Sequence, residues 1–461
     1  SSQLPAKRRK LSEATKEELL QLDKDELVEK VLQLQKHNVQ LRNIISKSNS
    51  ENPISDVKSR KKQFDFTKCH YRRILLRIMY FGWNYQGFVV QEDSPNTIEH
   101  CLFQALTKTC LIESREKSNY HRCGRTDKGV SAFGQVISLS IRSKYPPEDQ
   151  HKAEAISSEL PYCTMLNRLL PADIKAVAWM PIPADRPEYS ARFDCKQRQY
   201  KYYFPRSTLD VAAMRAACAR LVGSHDFRHL CKMDVGNGVV QYTREIFTAD
   251  IVPVDGEDAD ESMYCLLIEG NAFLWHQIRC IMGVLLLVGE GKEGPEVIAE
   301  LLDVEKNIRK PQYNMAIDVP LNLFKCCYDL EESNDWVYTK DELRQTITDL
   351  QKTWQLLPAD ARSTSLCTMF RDSLDQLETV YSTRLKETGD KTKENDRDSV
   401  IEYASGLSQG INPKVYKPLF ERQTCSTLEE RIDYYKRKRS FKVKDTANGQ
   451  EEQTPNSAAK S

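Results

Sequence analysis

Asn119-Tyr120-His121-Arg122-Cys123-Gly124-Arg125-Thr126-Asp127-Lys128-Gly129-Val130-Ser131-Ala132-Phe133-Gly134-Gln135 is the most informative stretch of this chain. Gly124 and Gly129 bracket an Arg-Thr-Asp and permit a tight turn. Alternation from Gln135 to Ile141 predicts a half-buried strand that fixes this turn on a sheet edge. Asp127 lies between Arg125 and Lys128, and nearby cations lower a carboxyl pKa, so it is expected to stay ionised. An ionised Asp can be a nucleophile, a base or a salt-bridge partner. Composition alone favours an ordinary charged surface turn.

Two more stretches combine charge with aromatic or apolar residues. In Arg192-Phe193-Asp194-Cys195-Lys196-Gln197-Arg198-Gln199-Tyr200-Lys201-Tyr202-Tyr203-Phe204 cations and aromatics interleave. As a strand, it puts Tyr200, Tyr202 and Phe204 on one face and Lys201 and Tyr203 on the other. One face could stack bases while cations track phosphate, or the strand could be aromatic core with snorkelling cations. In Gly270-Asn271-Ala272-Phe273-Leu274-Trp275-His276-Gln277-Ile278-Arg279-Cys280, Arg279 sits in an otherwise apolar helix. A buried Arg needs a carboxylate, and Asp127 is one candidate.

Around these stretches, Arg72 to Phe81 reads as a strand running into Gly82-Trp83-Asn84-Tyr85-Gln86-Gly87-Phe88. Further strands are expected at Gln199–Pro205 and Tyr264–Glu269. Helices are expected at Thr97–Leu111, Val211–Val222, Phe273–Val288 and Pro295–Leu302. Strands and helices alternate without regular βαβ spacing, so an α+β fold suits better than a doubly wound sheet. Near the start, Leu20, Leu27, Leu34 and Leu41 repeat every seven residues, with Asn38 at an interleaved position. That pattern predicts a parallel self-paired coil, or else a lone amphipathic helix. The expected division is a basic tail and coil over 1–50, a linker over 51–69, and a catalytic body in two parts, 70–188 and 189–330. An acidic helical insertion follows over 331–402, then a basic segment over 403–444 and a disordered tail over 445–461.

The 461 residues carry 67 Lys+Arg against 66 Asp+Glu, a net charge of +1 that hides strong local bias. Residues 69–147 and 191–240 each carry +5, while 241–262 and 331–402 each carry −6. Basic blocks around two of the three stretches leave room for an RNA-binding face. The apolar run Ile281–Val288 is too short for a membrane span, and no signal-peptide pattern is read. Fourteen cysteines without a C-x-x-C pair read as free thiols rather than a disulfide scaffold. His225-x3-His229 lacks the partners of a zinc site, so no metal and no cofactor are expected. Lys7-Arg8-Arg9-Lys10 reads as a nuclear-import signal or a solvated cluster, giving an expected nuclear and cytoplasmic location.

Cys123-Gly124-Arg125-Thr126-Asp127-x-Gly129-Val130-x-Ala132 resembles the signature of the TruA-type tRNA pseudouridine synthases. The other two stretches, the Gly82–Phe88 run and Gly223-Ser224-His225-Asp226-Phe227 resemble further motifs of that family in the same order, across residues 70–330. The resemblance implies two pseudo-symmetric halves sharing a continuous, mainly antiparallel sheet flanked by helices. It implies that Asp127 is the catalytic aspartate, that Tyr200 stacks on the target uracil, that Arg279 salt-bridges Asp127, and that Arg125 displaces the base. Gly124, Thr126, Lys128, Tyr202 and His276, in or beside these motifs, complete the candidate substrate-binding set. Lys128 and Ser131, with Cys123 and Phe133-Gly134-Gln135-Val136, look like the eukaryotic branch acting on tRNA positions 38 and 39. The family also implies a homodimer with one tRNA spanning both protomers. A non-catalytic tRNA-binding or tRNA-folding protein on the same fold, and a zipper-assembled nuclear adapter, are the competing readings.

Overall fold

The computed structural model describes residues 64–91, 94–254, 263–332, 336–356, 365–386 and 416–448. The heptad coil, the basic tetrad, most of the 51–69 linker and the last part of the 331–402 insertion lie outside them.

Nine strands form one sheet: β1 (His70–Tyr80), β2 (His121–Arg122), β3 (Ser131–Ser143), β4 (Ile174–Pro181), β5 (Cys195–Pro205), β6 (Gly223–Asp226), β7 (Thr243–Pro253), β8 (Met263–Gly270) and β9 (Leu321–Tyr328). Their order is β4-β1-β3-β9-β5-β8-β7-β6, with β2 added beside β3. All pairings are antiparallel except β3 with β9, which run parallel through Ser131–Asn322 and Ala132–Leu323. That short parallel join is where strands from residues 70–181 meet strands from residues 195–328. Phe133 N–H donates to Asn322 Oδ1 at 2.9 Å and reinforces it. The sheet is therefore mixed and mainly antiparallel, with helices on it. Strands β2, β4, β6, β7 and β9 are not among those the sequence pattern predicts.

The first face of the sheet carries α1 (Ile98–Lys108), α2 (Ala153–Ser157), α3 (Tyr162–Asn167), α4 (Val211–Cys218), α5 (Gln277–Gly289) and α6 (Val297–Leu302). Thr97 caps α1 by accepting from His100 N–H, which satisfies one orphan donor of its first turn. Helix α5 is buried on nearly every side. It starts later than the apolar run predicts, because His276 takes a left-handed conformation, φ 57°, that ends the preceding turn. On β5, Tyr200, Tyr202 and Phe204 join the main core, as their alternation requires.

The opposite face is covered by α7 (Lys340–Leu356) and α8 (Ser365–Lys386). Leu343, Ile347, Leu350, Met369, Leu374 and Leu377 pack on Met79, Phe81, Val177, Tyr203 and Cys265 as a second core. Charge pairs sew these helices down. Lys175 meets Asp349 at 3.0 Å and Lys201 meets Asp372 at 2.6 Å. Tyr203 Oη also donates to Asp372, at 2.5 Å. The last helix, α9 (Leu428–Asn448), runs past Asp445, where a disordered tail is expected from the sequence to begin. Its Lys and Arg residues are good helix formers.

Removing Asp372 strands a half-buried ammonium and a buried hydroxyl together. Asp372→Ala should cost about 2–4 kcal/mol in urea unfolding. The exposed neighbour change Gln376→Ala should stay within about 0.5 kcal/mol. Equal stabilities of the two variants would show that α8 is not held this way.

Candidate active site

The loop Gly124–Val130 lies immediately before the parallel join of β3 to β9. Several contacts fix it. Thr126 Oγ1 and Tyr80 Oη are 2.7 Å apart in the core. Gln135 Nε2 donates to Gly124 O at 3.1 Å, and Phe88 N–H donates to Thr126 O at 3.1 Å. Gly82 passes so close to Val130 that a Cβ there would lie 2.0 Å from Val130 O. Gly129 has φ +79° and faces the Asp318 carboxyl, so a side chain is excluded both by conformation and by space. The loop is thus a braced turn rather than a free surface one.

Asp127 points from this loop into a cleft of about 890 Å³. Arg125, Thr126, Lys128, Tyr200, His276 and Arg279 line the same cleft, so three sequence stretches converge on it. Tyr202 does not line it; it is fully buried and donates to Ile317 O at 3.1 Å. Gly124 supports the loop from behind through Gln135. The cleft also takes in Gln86, Arg192, Lys232, Arg244, Phe273, Trp275 and Asp318, which are not among the candidate residues of the motifs.

The electrostatics of Asp127 differ from the sequence expectation. Burial pushes its carboxyl above the ordinary value; Arg279, a Trp275 hydrogen bond and Arg125 pull it back only in part, and Asp318 opposes them. Neighbouring Lys128 is not among these influences. The side chain remains about one-third exposed at the cleft mouth. Arg279 is 4 % exposed; its Nε donates to Ala316 O at 2.9 Å and its Nη1 lies 3.9 Å from Asp318 Oδ2. A guanidinium is therefore set between two acids, Asp127 through its field and Asp318 through a resolved pair.

His276 Nε2 lies 3.4 Å from Asp127 Oδ2. Burial, with Arg279, Lys232 and Lys310 beside it, pushes the imidazole down to about 4, so the ring meets the carboxylate in its neutral form. Tyr200 is 9 % exposed and stands edge-on to Phe273, ring centroids 5.2 Å apart. Burial raises its phenol well above the ordinary value, so it too is neutral. Among the described residues, no ion pair involves Arg125, Lys128, Arg192, Lys232 or Arg244. The cleft is a cation-rich pocket that holds the desolvated Asp127 beside the aromatic ring of Tyr200.

One group of potential metal ligands occurs among the described residues: Cys123, Cys195 and Cys326, all buried, their sulfurs within 4.8 Å of one another. Three thiols fall one short of the four ligands of a structural zinc site. His225 and His229 join no such group; His225 Nε2 sits 3.0 Å from Val222 O.

A family model described as tRNA pseudouridine synthase matches residues 217–329. The chain is 43% identical over 423 residues to the tRNA pseudouridine(38/39) synthase of Mus musculus, covering 89% of this chain and 86% of that one. It is 44% identical over 391 residues to the Homo sapiens protein of the same name, 82% and 79% covered. The Saccharomyces cerevisiae counterpart is 39% identical over 324 residues, 69% and 71% covered. The chain belongs to the TruA-type tRNA pseudouridine(38/39) synthase family. In this synthase the motif residues Asp127, Tyr200 and Arg279 come from three separate segments and share one cleft. Asp318 carries no motif and escapes a reading of sequence alone. The demand of a buried Arg for carboxylates is the signal that could find it.

The depressed His276 pKa has a thermodynamic consequence. The unfolded ring binds a proton below its ordinary value while the folded ring does not, so stability falls as pH drops through that window. Between pH 8 and pH 5 this one group should cost about 2 kcal/mol. His276→Gln should lose that much less stability over the same interval in urea unfolding; parallel losses in both proteins would refute a buried neutral ring.

Proposed function

We propose that this chain isomerises uridine to pseudouridine at positions 38 and 39 of the tRNA anticodon stem-loop. The observation that carries the reading is the convergence of Asp127, Tyr200 and Arg279 on one cation-lined cleft. The reaction breaks the bond from ribose C1′ to uracil N1, turns the base and joins C1′ to C5. The proton lost from C5 is matched by one gained at N1, so no net oxidation or group transfer occurs.

A target uridine inside a stem must leave its stack, at a cost of a few kcal/mol. Tyr200 offers an aromatic face in return, worth about 1–3 kcal/mol. Arg125 is placed on the same loop as Asp127, where it can occupy the space the base leaves. Asp127 acts on the ribose as a carboxylate, by attack at C1′ or by proton removal at C2′. Arg279 keeps that carboxylate charged against the pull of burial, and Asp318 shares the guanidinium so that Arg279 stays fixed. The neutral phenol of Tyr200 stacks and can guide the C5 proton, but it is not a resting phenolate.

The assembly that accompanies this reading is a homodimer with tRNA held across both protomers, in nucleus and cytoplasm. The two parts of the body, 70–188 and 189–330, act as pseudo-symmetric halves that close on the cleft from either side.

Asp127→Ala should lose about 10³-fold or more of pseudouridine formation on tRNA, read by chemical mapping at positions 38 and 39. Equal product from both proteins would overturn the mechanism. The active form is the carboxylate and burial raises its pKa, so the acid limb of the rate should lie above the ordinary carboxylate range. Activity should fall as pH drops through that limb. Tyr200→Phe should bind tRNA as wild type does, whereas Tyr200→Leu should weaken binding about 10- to 100-fold. Identical affinities of the Phe and Leu variants would remove the stacking role.

A further inference from the structure

The structure builds the C-terminal segment into a second cavity. Tyr416 Oη and Leu419 N–H both donate to Glu293 Oε1, at 2.5 and 2.6 Å. Residues 423–425 run beside residues 310–312, with Gln312 N–H donating to Gln423 O and Cys425 N–H to Lys310 O, both at 2.9 Å. Arg309 pairs with Glu430 at 2.7 Å and ties down the start of α9. Leu419 is fully buried and Leu428 nearly so. The segment is therefore docked on the body by both apolar and polar contacts.

Beneath it lies a cavity of about 800 Å³. Its wall holds five cations, Lys232, Lys310, Lys417, Arg422 and Arg431, against a single carboxylate, Glu421. Among the described residues none of the five is in an ion pair. Lys232, Lys310, Arg422 and Arg431 are held instead by neutral groups. Lys310 Nζ donates to Cys231 O at 2.8 Å, Arg422 Nε to Lys417 O at 2.7 Å and Arg431 Nη1 to Met233 O at 3.5 Å. Arg422 also lies over the Tyr416 ring at 4.9 Å. Carbonyls and rings orient these cations without neutralising them. Three of the five come from 417–431, with Glu421, and two from the body, so docking the segment doubles the excess of positive charge on the wall from two to four. Lys232 and Trp275 line both this cavity and the cleft of Asp127, so the two are neighbours across one aromatic wall.

We propose that residues 416–431 complete a second RNA subsite, which binds phosphodiester groups of the tRNA strand flanking the target uridine and so positions it in the Asp127 cleft. The inference rests on the pseudouridine synthase reading for the identity of its RNA. Several unpaired cations around a concave wall suit a run of phosphates, and Trp275 offers the strand a ring to cross between the two sites. Its effect is on binding and register, not on the bond-breaking step.

Lys417 is exposed and Arg431 makes one long hydrogen bond, so both can be changed with little risk to the fold. In the full chain, Lys417→Glu combined with Arg431→Glu should lower the slope of log affinity for tRNA against log salt by about 2, near one unit for each phosphate no longer neutralised. KM for tRNA should rise at least tenfold while the rate at saturating tRNA stays within twofold of wild type. If the double variant does not fold, Lys417→Ala alone should lower the slope by about 1. A slope and KM unchanged from wild type in a folded variant would overturn the subsite. A wild-type protein that makes no pseudouridine would sink the activity reading instead, and the salt slope of tRNA binding would still decide the subsite.

Discussion

A carboxylate is drawn partly out of water at Asp127, and the rest of the structure answers that constraint. Desolvation raises the carboxyl pKa and so works against the charged form. Arg279 supplies the main opposing charge, and it can do so only because the buried N-terminal turn of α5 holds it still. A fixed guanidinium in apolar surroundings needs more than one acceptor, and Ala316 O and Asp318 provide them. Those acceptors stand just before β9, the strand that joins β3 in parallel. The join is what brings the loop from one end of the chain to the guanidinium from the other.

Much of this is legible in sequence. The turn at Gly124–Gly129, the aromatic alternation of β5 and the lone Arg279 in an apolar run each announce a physical demand that the fold then meets. The parts that escape are those whose identity depends on a distant partner. Asp318 is an ordinary acid until β9 lies beside β3. Strands β7 and β9 lack a decisive local pattern, and their pairing is set by neighbours far along the chain. Helices α7 and α8 are legible as an acidic helical insertion, but their place on the second face of the sheet is not, because the Leu, Ile and Met residues that cover it are diluted among charges. The direction of the Asp127 pKa shift departs from expectation for the same reason: Arg125 and Lys128 are neighbours in sequence, whereas burial and Arg279 are properties of the fold.

The near-zero net charge is also a matter of placement. Acids of the insertion are used on the back of the sheet, where Asp349 pairs with Lys175, Asp372 with Lys201 and Glu331 with Arg77. Neutralising those cations makes the second core possible, since unpaired ammonium and guanidinium groups would resist burial under α7 and α8. No equivalent acids meet Arg125, Lys128, Arg192, Lys232 or Arg244 among the described residues. The same chain thus carries one face neutralised by its own insertion and one left positive for a polyanion.

That asymmetry bears on how substrate binding and chemistry divide the work. Unpaired surface cations attract phosphate strongly but without reference to base identity. On the proposed reading, selection of one uridine comes from geometry: the distance from the phosphate contacts to the Asp127 loop, and the fit of a flipped base against Tyr200. Both are set by rigid elements, the braced loop on β3 and the central strand β5. The neutral states of Tyr200 and His276 suit this division, because added charge beside the base would bind phosphate there and compete with the base for the pocket. A cleft with exposed cations at the rim, the desolvated Asp127 within and uncharged rings beside it is built to take a nucleotide by its backbone, and on the proposed reading only the part that reaches Asp127 reacts.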